Sequence, residues 1–353
     1  MKNVSLIETP ALLVDLDTME SNLWRMAGFF AGKKVKLRPH FKNHKSPLLA
    51  WKQLHAGANG ITCATVREAE ILVNHGVTNI LIANEIAGET KAEHLADISR
   101  NASVVVAVDN PSAIKDLARA QRNANAQIEV VIDIDIGLGR CGVPPGEPAL
   151  HLAKAAADEG LSVRGVMGYD GHLQVMSKSP ARDEMVRAGS RSLVESAALI
   201  EHAGIAVSIV STGGTGTHDV SGEYPGITEI QAGSYLLMDT LYLERGTAFQ
   251  RSLTVLATVI STTVRGQAVI DCGMKAISGE RGLPAVKDLP GVRLAALHAE
   301  HGLLELAASP SAPVQVGQKI ELWVRYSDAT VNLHTCLYGV RHGQIEEVFR
   351  IEH

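Results

Sequence analysis

The sequence predicts a (β/α)8 barrel of the TIM type over residues 13–247, joined to a mainly β domain built from residues 1–12 and 248–353. Three observations carry this. Short β-branched runs alternate with helical segments about eight times before residue 248. Those runs lack polar alternation, which suits strands buried on both faces of a parallel sheet. Beyond residue 248 the long helical patterns stop, and strand-like runs follow one another with Gly and Pro turns between them.

In order, the strand runs are Ala11–Asp15 and residues 35–38, 60–64, 79–84, 103–109, 129–135, 165–169 and 207–211. A weaker ninth run at 227–231 competes with the first. If it joins the barrel, Ala11–Asp15 belongs elsewhere. Helical segments intervene at 65–73, 111–118, 148–157 and 192–203. Thr65 with Glu68 three residues later fits a capping box. Pro111 stands where a helix can start. An open doubly wound sheet is the alternative architecture. The first strand-to-helix turn carries no GxGxxG, so a dinucleotide fold is not supported. In the β domain the expected strands are 253–263, 267–271, 319–324 and 331–333.

Composition narrows the class. A net charge of −5 with 20% charged and 46% hydrophobic residues is ordinary for a globular protein and suggests no general nucleic-acid or membrane surface. Cys63, Cys141, Cys272 and Cys336 are scattered without a CxxC, which excludes a disulfide framework or zinc knuckle and suits a reducing compartment. The first residues lack a signal-peptide apolar region, and no run of about 18 apolar residues suggests a membrane span. A cytoplasmic protein with a small-molecule substrate is the expectation.

The stretch RPHFKNHK, residues 38–45, concentrates the chemistry. Positive charge around Lys42 disfavours its ammonium form, and a neutral lysine can form a Schiff base. A basic surface turn is the other reading of the same residues. Barrels present their chemistry at the C-terminal ends of their strands, where this stretch falls. Other strand ends carry GLGRCG from Gly137, then Tyr169 to His172, the run STGGTGT from Ser211, and AGSY from Ala232. Glycine- and hydroxyl-rich loops after late strands suit an oxyanion. A Schiff-base lysine with such loops suggests pyridoxal phosphate.

At this point the motifs become specific. RPHFKNHK, GITCATVREAE, GLGRCGV, MGYDGH, STGGTGT and EIQAGSYLLMD, in this order and at these separations, resemble the D-threonine aldolase/D-serine dehydratase family of alanine-racemase-like (fold-type III) pyridoxal phosphate enzymes. The resemblance runs from Thr9 to about Val348. It implies a barrel plus a β domain that includes N-terminal residues, a homodimer, and Lys42 as the cofactor lysine, with Lys45 the runner-up. It places Thr212, Gly213, Gly214, Gly233, Ser234 and Tyr235 at the phosphate, and Arg140 and Tyr169 beside the cofactor. His40 and His44 would orient Lys42, and His172 would contact substrate.

The resemblance also implies a divalent metal, held by a histidine two residues before a cysteine or aspartate. Here the corresponding residues are Tyr326 and Asp328, ahead of an intact TVNL. Asp328 keeps a carboxylate ligand. Tyr326 replaces a borderline imidazole, which weakens a transition-metal site. His334 and Cys336 form an HxC pair nearby. Tyr326 is itself a candidate acid–base group. Three reactions stay open: retro-aldol cleavage of a β-hydroxy-D-amino acid to glycine and an aldehyde, dehydration of the same substrates to keto acid and ammonia, and racemisation. A non-catalytic cofactor carrier is the remaining alternative.

Overall fold

Eight short parallel strands form one sheet: Lys36–Leu37, Ile61–Cys63, Asn79–Glu85, Ser103–Val108, Glu129–Asp133, Ser162–Met167, Ile209–Thr212 and Glu229–Ile230. In this computed structural model residues 2–308 and 313–353 are described. Each of the first seven is followed by at least one helix before the next strand begins. The sheet runs without a break from Lys36–Leu37 through Glu229–Ile230 and back down to Ile61–Cys63. Its two ends then meet. The N–H of Asn59 donates to Leu37 O at 2.8 Å, and that of Thr62 to Pro39 O at 2.9 Å. The sheet is thereby a closed barrel, and the doubly wound alternative is set aside.

Burial follows from the unbroken apolar runs. Val104, Val105, Val106, Ala107 and Val108 are each at most 1% exposed, so both faces of that strand are covered. Burying each such side chain is worth about 1.5–3 kcal/mol. Leu81, Val105, Ala107, Val131, Met167 and Ile209, from five neighbouring strands, pack as one cluster. The helices start where the sequence places caps. Thr65 Oγ1 accepts the N–H of Glu68, and Glu68 Oε2 reaches back to the N–H of Ala64. Asn110 caps the helix Pro111–Ala124, whose N1 position is proline.

A second, mainly antiparallel sheet of ten strands holds the C-terminal residues and the start of the chain. The expectation that Ala11–Asp15 opens the barrel is corrected here. This strand lies between Leu253–Ser261, antiparallel, and Cys336–Arg341, parallel. The eighth barrel strand is Glu229–Ile230, the weaker run. A buried apolar run looks the same in either sheet, so periodicity could not place Ala11–Asp15. The expected strand at 331–333 is also corrected. Val331 ends a short helix, Ser327–Val331, and Asn332 and Leu333 leave it in a turn. Six strands had no counterpart in the sequence reading: Lys2–Asn3, Ala285–Val286, Val292–Leu297, Gly302–Leu306, Cys336–Arg341 and Gln344–Arg350.

The chain divides into two compact units. One comprises residues 26–42 and 49–233, and the other residues 1–25, 43–48 and 234–353. No helix among the described residues is long and apolar enough to cross a membrane.

Candidate active site

Residues from the C-terminal ends of the barrel strands converge in the first unit. Lys42 sits in the 3-10 turn Phe41–Asn43 that follows the first strand. Its backbone N–H donates to His40 Nδ1 at 3.3 Å, which puts the proton of a neutral His40 ring on Nε2. The Lys42 ammonium lies 5.9 Å from the centre of the Tyr169 ring, and the Arg140 guanidinium 5.6 Å from the same ring. One aromatic ring therefore gathers a lysine from the first strand end and an arginine from the fifth. Gly171 makes room for it, since a Cβ there would stand 2.7 Å from Tyr169 Cε1. His172 lies against the glycine turn after the fifth strand, where a Cβ on Gly137 would meet its ring at 3.4 Å. Its Nδ1 is buried without a hydrogen-bond partner.

The glycine-rich loop follows the seventh strand. Thr212 Oγ1 donates to Gly168 O at 2.8 Å, which fixes the strand end. Gly213 has φ +70°, a conformation costly for any residue with a side chain. The N–H of Gly214 is turned onto Thr217 Oγ1 at 3.1 Å. Gly233 follows the eighth strand and abuts the first strand end: a Cβ on it would stand 2.8 Å from His40 O. Lys42, His40, Arg140, Tyr169, His172, Thr212, Gly213, Gly214 and Gly233 thus all belong to the barrel unit at strand ends.

Ser234, Tyr235, Tyr326 and Asp328 belong to the second unit. Tyr235 is fully buried, with its ring 5.7 Å from that of Phe249. Ser234 O accepts the N–H of Met238 at 2.8 Å. Tyr326 precedes the helix Ser327–Val331, and Arg281 stacks on its ring at 5.6 Å. Burial, reinforced by Asp328, pushes the Tyr326 phenol up to about 12. Asp328 Oδ1 accepts from Asn43 Nδ2 at 2.7 Å, while Asn43 also donates to Ser327 Oγ at 2.8 Å. Asp239 receives the N–H and hydroxyl of Ser327 at 2.9 and 2.8 Å, and burial raises its carboxyl to about 6. His334 is engaged elsewhere, its Nε2 2.7 Å from Ala276 O.

The sequence reading missed an acidic group at neighbouring barrel strand ends. Asp133 is 6% exposed, and burial together with Glu85 and Asp109 raises its carboxyl to about 9, offset in part by Arg140. Glu85, Asp109 and Cys141 bring their ligand atoms within 4.8 Å of one another. Among the described residues they are the one group of three His, Cys, Asp or Glu side chains close enough to hold a metal ion. A signal existed: three consecutive strands each end on or just before a carboxylate.

A second missed feature lies deeper. Arg38, 2% exposed, makes a bidentate pair with Glu229 at 2.9 and 2.6 Å and donates to Asn79 Oδ1 at 2.8 Å. Arg38 was legible only as part of the basic stretch. Its partner comes from the eighth strand.

Comparison with known proteins agrees with this geometry. Residues 14–240 match the alanine racemase N-terminal domain family, and residues 252–340 match a putative serine dehydratase domain. The chain is 37% identical to D-threonine aldolase from an Arthrobacter species, over 98% of this chain and 92% of that protein. It is 30% identical to D-threo-3-hydroxyaspartate dehydratase from a Delftia species, over 95% and 92%. The crystal structure of D-threonine aldolase from Filomicrobium marinum superposes with a TM-score of 0.94 at 38% identity, covering 98% of this chain and 96% of that one. The chain belongs to the D-threonine aldolase/D-serine dehydratase family of alanine-racemase-like barrel proteins.

Proposed function

We infer that the protein is a pyridoxal-phosphate-dependent lyase that cleaves β-hydroxy-D-amino acids by a retro-aldol reaction to glycine and an aldehyde. The observation that carries this is the grouping of Lys42, Tyr169 and Arg140 at strand ends of the barrel that also bears the Gly213–Gly214 loop. The donor set fits the cofactor: an amine for its carbonyl end, an aromatic ring and a guanidinium beside it, and a glycine loop for its phosphate. Pyridoxal phosphate, when bound, supplies an electron sink for the carbanion formed at the substrate's Cα.

The chain's residues do the rest. Lys42 holds the cofactor, and His40 fixes the turn that presents it. Arg140 and Tyr169 orient the ring. Thr212, Gly213, Gly214 and Gly233 surround the phosphate, with Ser234 and Tyr235 in the role the family resemblance gives them. His172, whose Nδ1 lacks a protein partner, takes the proton from the substrate's β-hydroxyl. A homodimer is the accompanying expectation.

Tyr326 and Asp328 do not fit a transition-metal site. The phenol stays protonated to about 12, and the carboxylate is bonded by Asn43. Tyr326 instead favours the second reading, dehydration to keto acid and ammonia, because a phenol that keeps its proton can give it to a departing hydroxyl. Incubating purified protein with D-threonine and with D-serine separates the reactions. Glycine plus aldehyde supports the lyase reading. Keto acid plus ammonia supports dehydration, and the L enantiomer alone would replace both with racemisation. Full activity in Tyr326→Phe would remove that residue from the chemistry.

A further inference from the structure

Behind the glycine-rich loop lies a polar network that the reaction itself does not use. Gln174 is 2% exposed and closes the short helix Gly171–Gln174 after the sixth strand. Its side-chain amide is consumed from both ends. Oε1 accepts the N–H of Gly216 at 2.8 Å. Nε2 donates to Asp170 Oδ1 at 2.6 Å and to Thr217 Oγ1 at 2.8 Å. Thr217 Oγ1 accepts the N–H of Gly214 at 3.1 Å, so one buried amide controls both ends of the turn 214–217. The contact is close. A Cβ on Gly214 would stand 2.6 Å from Gln174 Oε1, and one on Gly216 would stand 2.4 Å from Gln174 O. Buried Arg182 ties the same two segments again, donating to Leu173 O at 3.2 Å and to Gly216 O.

The arrangement has one orientation. Rotating the Gln174 amide by half a turn would set its oxygen against Asp170 Oδ1 and its NH2 against the N–H of Gly216, losing both of those bonds. The network also decides which loop N–H groups an anion can meet. Those of Gly214, Gly216 and Thr217 are already bonded within the protein, to Thr217 Oγ1, Gln174 Oε1 and Gly214 O. The loop is held by this buried amide together with Arg182, so removing the amide takes away the bonds that set the turn 214–217 and leaves only the Arg182 tie.

We propose that Gln174, held by Asp170 and Thr217, is a positioning residue that fixes the loop 213–217 for a phosphate group, and so sets the preference of this chain for a phosphorylated over an unphosphorylated pyridoxal. The proposal rests on the cofactor assigned above. It predicts a loss confined to the phosphate end, because among the described residues the Gln174 side chain bonds to Asp170 and to the loop residues Gly216 and Thr217.

The test titrates protein stripped of cofactor with pyridoxal phosphate and, separately, with pyridoxal, reading dissociation constants from absorbance. Gln174→Met is expected to weaken pyridoxal phosphate by about tenfold or more, as expected for a lost buried hydrogen bond, and pyridoxal by less than about twofold. Thr217→Val, which removes the hydroxyl shared by Gly214 and Gln174, should show the same selective loss and guards against a Gln174 variant that fails to fold. Equal weakening toward both ligands, or unchanged affinity for pyridoxal phosphate in both Gln174→Met and Thr217→Val, would overturn the proposal alone. A wild-type chain with no affinity for pyridoxal phosphate would overturn the functional reading and take this inference with it.

Discussion

A guanidinium that is 2% exposed needs carboxylates and carbonyls in place of its water, and Arg38 has both in Glu229 and Asn79. Arg38→Met is expected to cost about 3–5 kcal/mol in chemical denaturation, because it leaves the Glu229 carboxylate buried beside an apolar chain. Little or no loss would mean that Glu229 finds water instead. Asp133 makes the opposite kind of residue-level demand. An unfolded aspartate ionises near 3.8, whereas buried Asp133 keeps its proton to about 9. Stability from burying the neutral carboxyl is therefore whole below about pH 4 and is lost as pH rises toward 9. Asp133→Asn cannot ionise, so its melting temperature relative to wild type should climb between about pH 5 and 9. A constant difference across that range would refute the assignment. Lys42 was legible in the sequence because its neighbours in the chain are chemically unusual. The Asp133 environment was not, since Glu85 and Asp109 come from other strands and meet it only through the barrel's strand order.

Elements differ in how plainly the chain announces them. The helix Val66–Asn74 is announced by Thr65 and Glu68, whose reciprocal bonds are present. Thr65→Ala should lower stability by about 1 kcal/mol, measured by urea denaturation. The eighth barrel strand is only Glu229–Ile230, too short to show a period, and it was legible only as a competitor to Ala11–Asp15. The sixth strand conceals a stricter requirement. Gly165 has φ +146°, and a Cβ there would stand 1.9 Å from Ile209 O on the neighbouring strand. Gly165→Ala is expected to disrupt that pairing and yield little folded protein, read by circular dichroism and melting. Native yield and stability would show that the two strands can slide apart. Such a glycine carries no sequence signal, because the need arises from the approach of a strand distant in the chain.

At the scale of the whole molecule, the sequence supplied the fold class and the family. The replacement of the family's histidine by Tyr326, which speaks against a metal pair with Asp328, was legible in the chain; the bond from Asn43 to Asp328 was not, because the two lie 285 residues apart. Exhaustive chelation is accordingly expected to leave turnover of D-threonine unchanged, with restoration by added Mn2+ after a loss the result that would refute it. The strand Ala11–Asp15 has a different reach. It pairs with Leu253–Ser261 on one side and Cys336–Arg341 on the other, so both of its neighbours are synthesised after the barrel. During synthesis this apolar strand must wait with both edges unpaired while the entire barrel is made. A nascent chain in that state is a client for a holdase chaperone, and translation speed through the C-terminal segment bears directly on how much of it escapes aggregation.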